Sequence, residues 1–351
     1  ADAPLDPAIL RERLVRVDTD QLGFSEPTSG GSVTANLFDD VSYQAVRSSV
    51  RRSPATDSYI WTGSLAGVPL GEVIFVEKNG IVIGKITAPG EVYVIEYSGV
   101  DDIHRIRRID PAQYSEGPDD SPIPPGKSGK MLFPPSMFMS EDADNGSVLD
   151  ILVPYSPEAR AGAGGTVAME LTVELAMAET NLADENAGVL QRVALVHTYE
   201  SETELATTSD NLSALAGTSD GFMDGVHGLR NEFHADFVAL IVEVNGCGVA
   251  YVQTTLQDAN FENAAFSVTT RSCAVGNLTF AHELGHNMGL RHDWYIDDST
   301  TPSSAAHGFT NRADGWRTVM AYNNACSDAG TGCTRLAYFS NDSRVLGGDP
   351  M

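Results

Sequence analysis

The stretch His282-Glu283-Leu284-Gly285-His286-Asn287-Met288-Gly289-Leu290-Arg291-His292-Asp293 places three imidazoles and two carboxylates within twelve residues. The spacing predicts a helix from about Leu278 to Met288, on which His282 and His286 lie one turn apart on one face, so that both rings can reach a single metal ion. Glu283, one residue past the first imidazole, can take a proton from a metal-bound water but is poorly placed to ligate the metal itself. Gly289 suits the left-handed conformation that stops a helix and turns the chain, which returns His292 toward the same point. Three protein ligands with a fourth position open is the pattern of catalytic zinc, whereas structural zinc is closed by four ligands and is usually Cys-rich. A bare HExxH should arise by chance in about 4% of chains this long; adding Gly289, His292 and Asp293 lowers that to roughly one in a hundred thousand.

This run resembles the zinc motif HExxHxxGxxH of the metzincin metallopeptidases, position by position. Asp293 after the third His resembles the adamalysin or reprolysin group, where astacins have Glu and matrix metallopeptidases Ser. Downstream, Trp316-Arg317-Thr318-Val319-Met320-Ala321-Tyr322 is similar to the metzincin Met-turn, which implies that Met320 packs beneath the three His ligands without bonding the metal. Tyr322 departs from the animal and venom adamalysins and looks like the astacin and serralysin turn, where that Tyr can ligate zinc or stabilise the oxyanion. The mixed signature resembles bacterial reprolysin-like enzymes. It implies an α/β (α+β) metzincin catalytic domain, with a twisted mixed sheet and an active-site helix, that hydrolyses protein or peptide substrates. The resemblance gives Asp293 the role of orienting the loop that carries His292. A rival reading is a binding protein of the same fold without turnover; Glu283 argues against it.

The rest of the second half fits such a scaffold. Val148–Val153, Leu190–Thr198 and Phe237–Val244 are apolar runs of strand length, and Thr166–Asn186 carries Val167, Leu171, Leu175 and Leu182 at helical spacing before Gly188. A further helix is predicted over Asp220–Phe233. Gly246–Val252 resembles the edge strand on which metzincins pair an extended substrate by its backbone.

Four cysteines, Cys247, Cys273, Cys326 and Cys333, all lie in this half. Three pairings are open; Cys247–Cys273 and Cys326–Cys333 are favoured because the second closes a short loop and the first ties the edge strand to the segment entering the active-site helix. The chain has 48 acidic and 22 basic residues, a formal net charge of -26, and no Lys after Lys130. Such a surface excludes nucleic acid or anionic lipid as a partner and suits an exported, soluble, monomeric protein. Acidic clusters admit a calcium ion, although no DxDxDG-type loop is present. No apolar run is long enough to span a membrane, and Ala1-Asp2-Ala3-Pro4 reads as a start left by signal cleavage. Secretion from a bacterium rests on the resemblance and the cysteines.

The first half differs. Tyr59–Thr62, Val73–Val76, Ile81–Ile86 and Val92–Tyr97 read as short strands, so residues 1–110 form a small, mainly β domain. Residues 111–147 hold seven of the seventeen prolines with Gly, Ser and acidic residues, a linker open to activation cleavage before a catalytic domain at 148–351. This layout resembles a secreted zymogen with an intramolecular propeptide. No Cys precedes Cys247, which excludes thiolate inhibition from the first half. Asp110 is the candidate propeptide ligand to zinc, with Asp101 and Asp102 behind it, and steric blocking alone is an equal alternative.

Overall fold

The computed structural model describes residues 8–24, 31–114, 121–124, 148–255, 259–346 and 348–351. Of the predicted linker, only residues 111–114 and 121–124 fall among them.

Eight strands fill the first half: β1 (Ile9–Arg16), β2 (Ser32–Phe38), β3 (Val41–Arg52), β4 (Tyr59–Leu65), β5 (Glu72–Lys78), β6 (Ile81–Ala88), β7 (Glu91–Tyr97) and β8 (Ile103–Ile109). They pair in the order β1-β8-β7-β6-β5-β4-β3-β2, all antiparallel. Tight turns set the meander. Between β5 and β6, Asn79 and Gly80 take φ of 57° and 80°, as a two-residue hairpin turn requires. The sheet curls until its two edges are bridged by side chains: Arg11 pairs with Asp40 at 2.9 Å and Arg13 donates to the Asn36 carbonyl. Inside the curl lie Leu37, Trp61, Phe75, Tyr93 and Ile106.

The second half runs β9 (Val148–Tyr155), α1 (Pro157–Ala163), α2 (Thr166–Ala187), β10 (Arg192–Glu200), α3 (Thr208–Ala216), α4 (Val226–Glu232), β11 (Phe237–Val242), β12 (Gly248–Ala250), β13 (Phe266–Thr270), α5 (Arg271–Ala274) and α6 (Thr279–Asn287). Its sheet has the order β10-β9-β11-β13-β12, parallel except for β12, which lies antiparallel to β13 at one edge. After α6 the described elements are short: β14 (Thr310–Asn311), β15 (Trp316–Arg317), α7 (Asn324–Ser327), β16 (Thr334–Arg335), β17 (Val345–Leu346) and β18 (Asp349–Pro350). Disulfides join Cys247 to Cys273 and Cys326 to Cys333.

Two expectations need correction. The helix predicted over Asp220–Phe233 exists only at Val226–Glu232, because Gly221 and Met223 adopt positive φ and break its first turns. The strand predicted over Gly246–Val252 is paired only at Gly248–Ala250, since Gly246 turns at φ 95°.

α2 ends where Gly188 adopts φ 73°. It is buried nearly all round, beyond the single stripe Val167-Leu171-Leu175-Leu182, because it is packed between the two sheets. A common apolar core joins Ile60, Ile74, Ile83 and Val94 of the N-terminal sheet to Leu171, Val173 and Leu175 of α2 and Phe280 of α6. An interface of this apolar kind holds two units as one body.

Within it lie acidic groups. Glu179 pairs with Lys85 at 2.7 Å, both almost fully buried, and the Asn186 amide donates to Glu72. Burial pushes the carboxyls of Glu72 and Glu179 up to about 7. A carboxyl whose pKa is raised on docking stabilises the docked state at low pH, and that contribution is lost as pH rises through the raised value. Docking of the N-terminal sheet on α2 is therefore expected to weaken as pH rises from about 4.5 to about 7.5, by on the order of 3 kcal/mol per carboxyl at most. Size-exclusion chromatography of linker-cut protein across that range checks this: earlier fragment separation at high pH is expected, and equal retention throughout contradicts it.

Candidate active site

α6 is entered through Leu278, whose φ of 57° redirects the chain out of α5, and it lies beneath β12 and β13. Asn287 ties its far end to the sheet, its amide donating to the carbonyls of Tyr251 and Phe266 at 2.8 and 3.0 Å. Gly289 at φ 90° then turns the chain, and Leu290 N–H closes on the Gly285 carbonyl at 2.8 Å. His292 is thereby carried back against α6.

The side chains of His282, His286 and His292 are all buried. The Nε2 of His286 lies 3.1 Å from the Nε2 of His282 and 3.1 Å from that of His292. Tetrahedral zinc with bonds of 2.0–2.1 Å separates its nitrogens by about 3.3 Å, so these three atoms fit one such ion. Nδ1 of His282 faces the Val319 carbonyl and Nδ1 of His286 the Leu290 carbonyl, each at 2.9 Å. With Nδ1–H donating there, the Nε2 lone pairs point inward, a convergence that repels unless a cation stands between them. Among the described residues, these three are the one group of three or more His, Cys, Asp or Glu whose ligand atoms lie within 4.8 Å of one another. No acidic group of that kind supports calcium.

Glu283 is 1% exposed, and its carboxylate packs on the backbone of β12: a Cβ at Gly248 would stand 2.3 Å from Oε1. The edge strand and the carboxylate are thus adjacent. Met320 is buried under α6, where a Cβ on Gly285 would meet its Sδ at 2.5 Å. Gly308 gives room to the same turn, since a Cβ there would lie 2.6 Å from the Met320 carbonyl carbon and the Ala321 nitrogen. Tyr322 sets its ring 4.3 Å from that of His292. Asp293 accepts from Tyr322 N–H at 2.8 Å and from Tyr295 N–H at 3.1 Å, so its carboxylate fastens the loop after His292 to the turn after Met320.

Asp110 is not brought to the histidines. Its carboxylate caps the short turn Pro111–Gln113, accepting from Ala112 N–H at 3.0 Å and Gln113 Nε2 at 3.2 Å. Asp102 pairs with Arg16 at the sheet edge, and Asp101 sits in the preceding turn.

Three buried residues escaped the sequence reading. His307 holds the His292 carbonyl by Nδ1 at 2.6 Å and stacks on Trp294. Arg317 and Arg335 both donate to the carbonyl of Ala321, directly after Met320. Arg317 carried a signal in the sequence, as the one charged residue in the apolar run Trp316–Tyr322.

A mixed sheet with an antiparallel edge strand, a His-bearing helix below it and a buried Met beneath three converging imidazoles defines the catalytic domain of a zinc metallopeptidase. Residues 146–340 match Metallo-peptidase family M12, and the chain belongs to that family. It is 32% identical over 336 residues, 88% of its own length and 75% of the relative's, to a peptidyl-Asp metalloendopeptidase of Stenotrophomonas maltophilia strain R551-3. A protein of the same description from Xanthomonas campestris pv. campestris is 32% identical over 82% of this chain and 66% of that one. Metalloproteinase-II from Bacteroides fragilis superposes with a TM-score of 0.47 at 12% identity, over 79% of this chain and 84% of that structure. The chain is a zinc metalloendopeptidase. No described helix is long and apolar enough to cross a membrane.

Proposed function

We propose that this chain is the latent form of an exported bacterial endopeptidase, with zinc held by His282, His286 and His292 and Glu283 as general base. The observation that carries the reading is the meeting of three inward Nε2 atoms with a buried carboxylate at the edge strand. Bound there, zinc would polarise the scissile carbonyl and acidify a water. Glu283 takes the proton from that water as its oxygen bonds to the carbonyl carbon, and returns a proton to the nitrogen as the C–N bond breaks. β12 holds the substrate backbone, Tyr322 braces the His292 ring, and Asp293 fixes the loop that bears it. The names of the relatives support cleavage beside aspartate, and two disulfides suit an oxidising compartment.

Latency is supported by where the described linker residues touch the catalytic half. Tyr114 lies against Gly276, just before α6, and the turn Pro111–Gln113 lies against β16. Eight residues later the Pro122 carbonyl accepts from Val252 N–H at 3.1 Å, beyond the other end of β12. The N-terminal sheet packs on α2, and the obstruction we propose is by the described linker residues, which touch the catalytic half just before α6 and just after β12.

The test is digestion of a mixed peptide library by linker-cut protein, with and without a zinc chelator, followed by mass spectrometry. Cleavage lost to the chelator, restored by zinc and clustered at aspartate is expected. Peptide binding without any cleavage would establish a silent binding protein instead.

A further inference from the structure

The geometry points to a second binding site, inside the curl of the N-terminal sheet, for a single aliphatic chain that ends in a carboxylate. β1 and β2 are the two ends of the eight-stranded order, so no ladder of backbone hydrogen bonds joins them. Under this seam lies a cavity of about 360 Å³, within the range of small-molecule sites. Val15 of β1 and Val33 and Ala35 of β2 form its mouth; they pack toward the interior yet stay partly exposed. Phe75, Val82, Ile95 and Ile106 form its floor. In a small closed barrel, side chains at such inward positions fill the interior; here the unjoined seam leaves room. Because successive residues of a strand face opposite ways, β5 and β6 show the cavity Phe75 and Val82 and show α2 Ile74 and Ile83. The site is therefore on the far side of the sheet from the catalytic half.

The lining decides what fits. Every floor residue is apolar, so a ligand with polar groups along its length would bury them without partners, which is unfavourable. The charged and amide side chains are at the mouth. Arg16 is held there by both oxygens of Asp102, at 2.9 and 2.8 Å, and Gln21 donates to Asp18 at 2.7 Å. Arg13 is different. It alternates with Val15 along β1 and shares its inward face. Its Nη2 donates to the Asn36 carbonyl, and its Nη1 stands 3.6 Å from Asp39, whose side chain is fully exposed. Its Nε is buried and, among the described residues, has no hydrogen-bond partner. A cationic donor left so at the entrance of an apolar cavity suits a carboxylate oxygen, which would accept a charge-assisted bond. The volume equals that of about a dozen water molecules, room for a chain of about ten carbons. A net charge of -26 disfavours an anionic lipid surface, but a single chain whose head meets one arginine at a cavity mouth needs no such surface.

The experiment is titration calorimetry of the full chain with octanoate, decanoate and dodecanoate, each kept below its micelle concentration, and with 1-decanol as the uncharged counterpart. One site per chain is expected, with affinity rising about fourfold per added methylene until the cavity is full. Hydrogen bonds to a charged group are worth a factor of about 10 to 150, so Arg13→Gln should weaken decanoate by that much while leaving decanol unchanged. Decanol thereby reports whether the substitution has loosened the seam. Arg13→Lys, which keeps the charge without the fork, should fall between. Ala35→Phe, which fills the cavity from an edge strand, should abolish binding of both ligands, with circular dichroism and the melting temperature checking that the variant folds. Absence of saturable binding overturns the inference, as does binding at many sites per chain without dependence on chain length. Equal affinity for decanoate and decanol, or decanoate binding unmoved by Arg13→Gln, overturns it as well.

Discussion

Glu283→Gln is expected to lower kcat/KM by about 100- to 10,000-fold, the range general acid–base catalysis supplies. The amide has the shape of the carboxylate, so its packing against Gly248 and the helix around it should persist. What disappears is basicity: the group can no longer accept a proton from the attacking water or return one to the leaving nitrogen. Zinc content by atomic absorption and the melting temperature should match the parent, because the three imidazoles and their carbonyl partners at Val319 and Leu290 are untouched. A loss of less than tenfold with zinc retained would remove Glu283 from the role of base.

Separating residues 1–124 from the catalytic half is expected to raise peptidase activity by about 100- to 1,000-fold, and cutting the linker is expected to do less. The reason is the shared core. After a cut between Pro124 and Val148, Ile60, Ile74 and Val94 still pack on α2, and residues 111–124 remain tethered to that sheet. A tethered segment competes at an effective concentration in the millimolar range, against which a segment of micromolar affinity holds all but about one site in a thousand. Cut protein should therefore co-elute as one complex at pH 6 with low activity. Raising the pH past about 7, where Glu72 and Glu179 ionise, should release the N-terminal part and the activity together. Full activity on cutting at pH 6, with both parts still associated, would exclude the linker as the obstruction.

The local chemistry was legible where a short-range rule governs it. Four-residue spacing places His282 and His286 on one face of a helix whatever surrounds it, and Gly188 and Gly289 stop helices because they alone take positive φ without strain. The Asn79-Gly80 hairpin is a property of two residues. Reading failed where position depends on distant partners. Asp110, conspicuous before a proline, spends its carboxylate on a local cap. α2 shows one apolar stripe in sequence yet is covered on all sides, because a second sheet takes the face that usually meets water. Arg317 and Arg335 are eighteen residues apart and meet only because both reach the Ala321 carbonyl.

The sequence by itself determined the convergence of three imidazoles with a carboxylate beside them and the turn that brings His292 back, since all four side chains fall within eleven residues and their geometry is that of one helix and one glycine. The tertiary structure alone decided that β12 lies beside Glu283 and that Arg317 and Arg335 meet at the Ala321 carbonyl. Those are relations between strands, helices and loops far apart in the chain. They are set by how the elements bury their apolar faces together, and no local spacing encodes them.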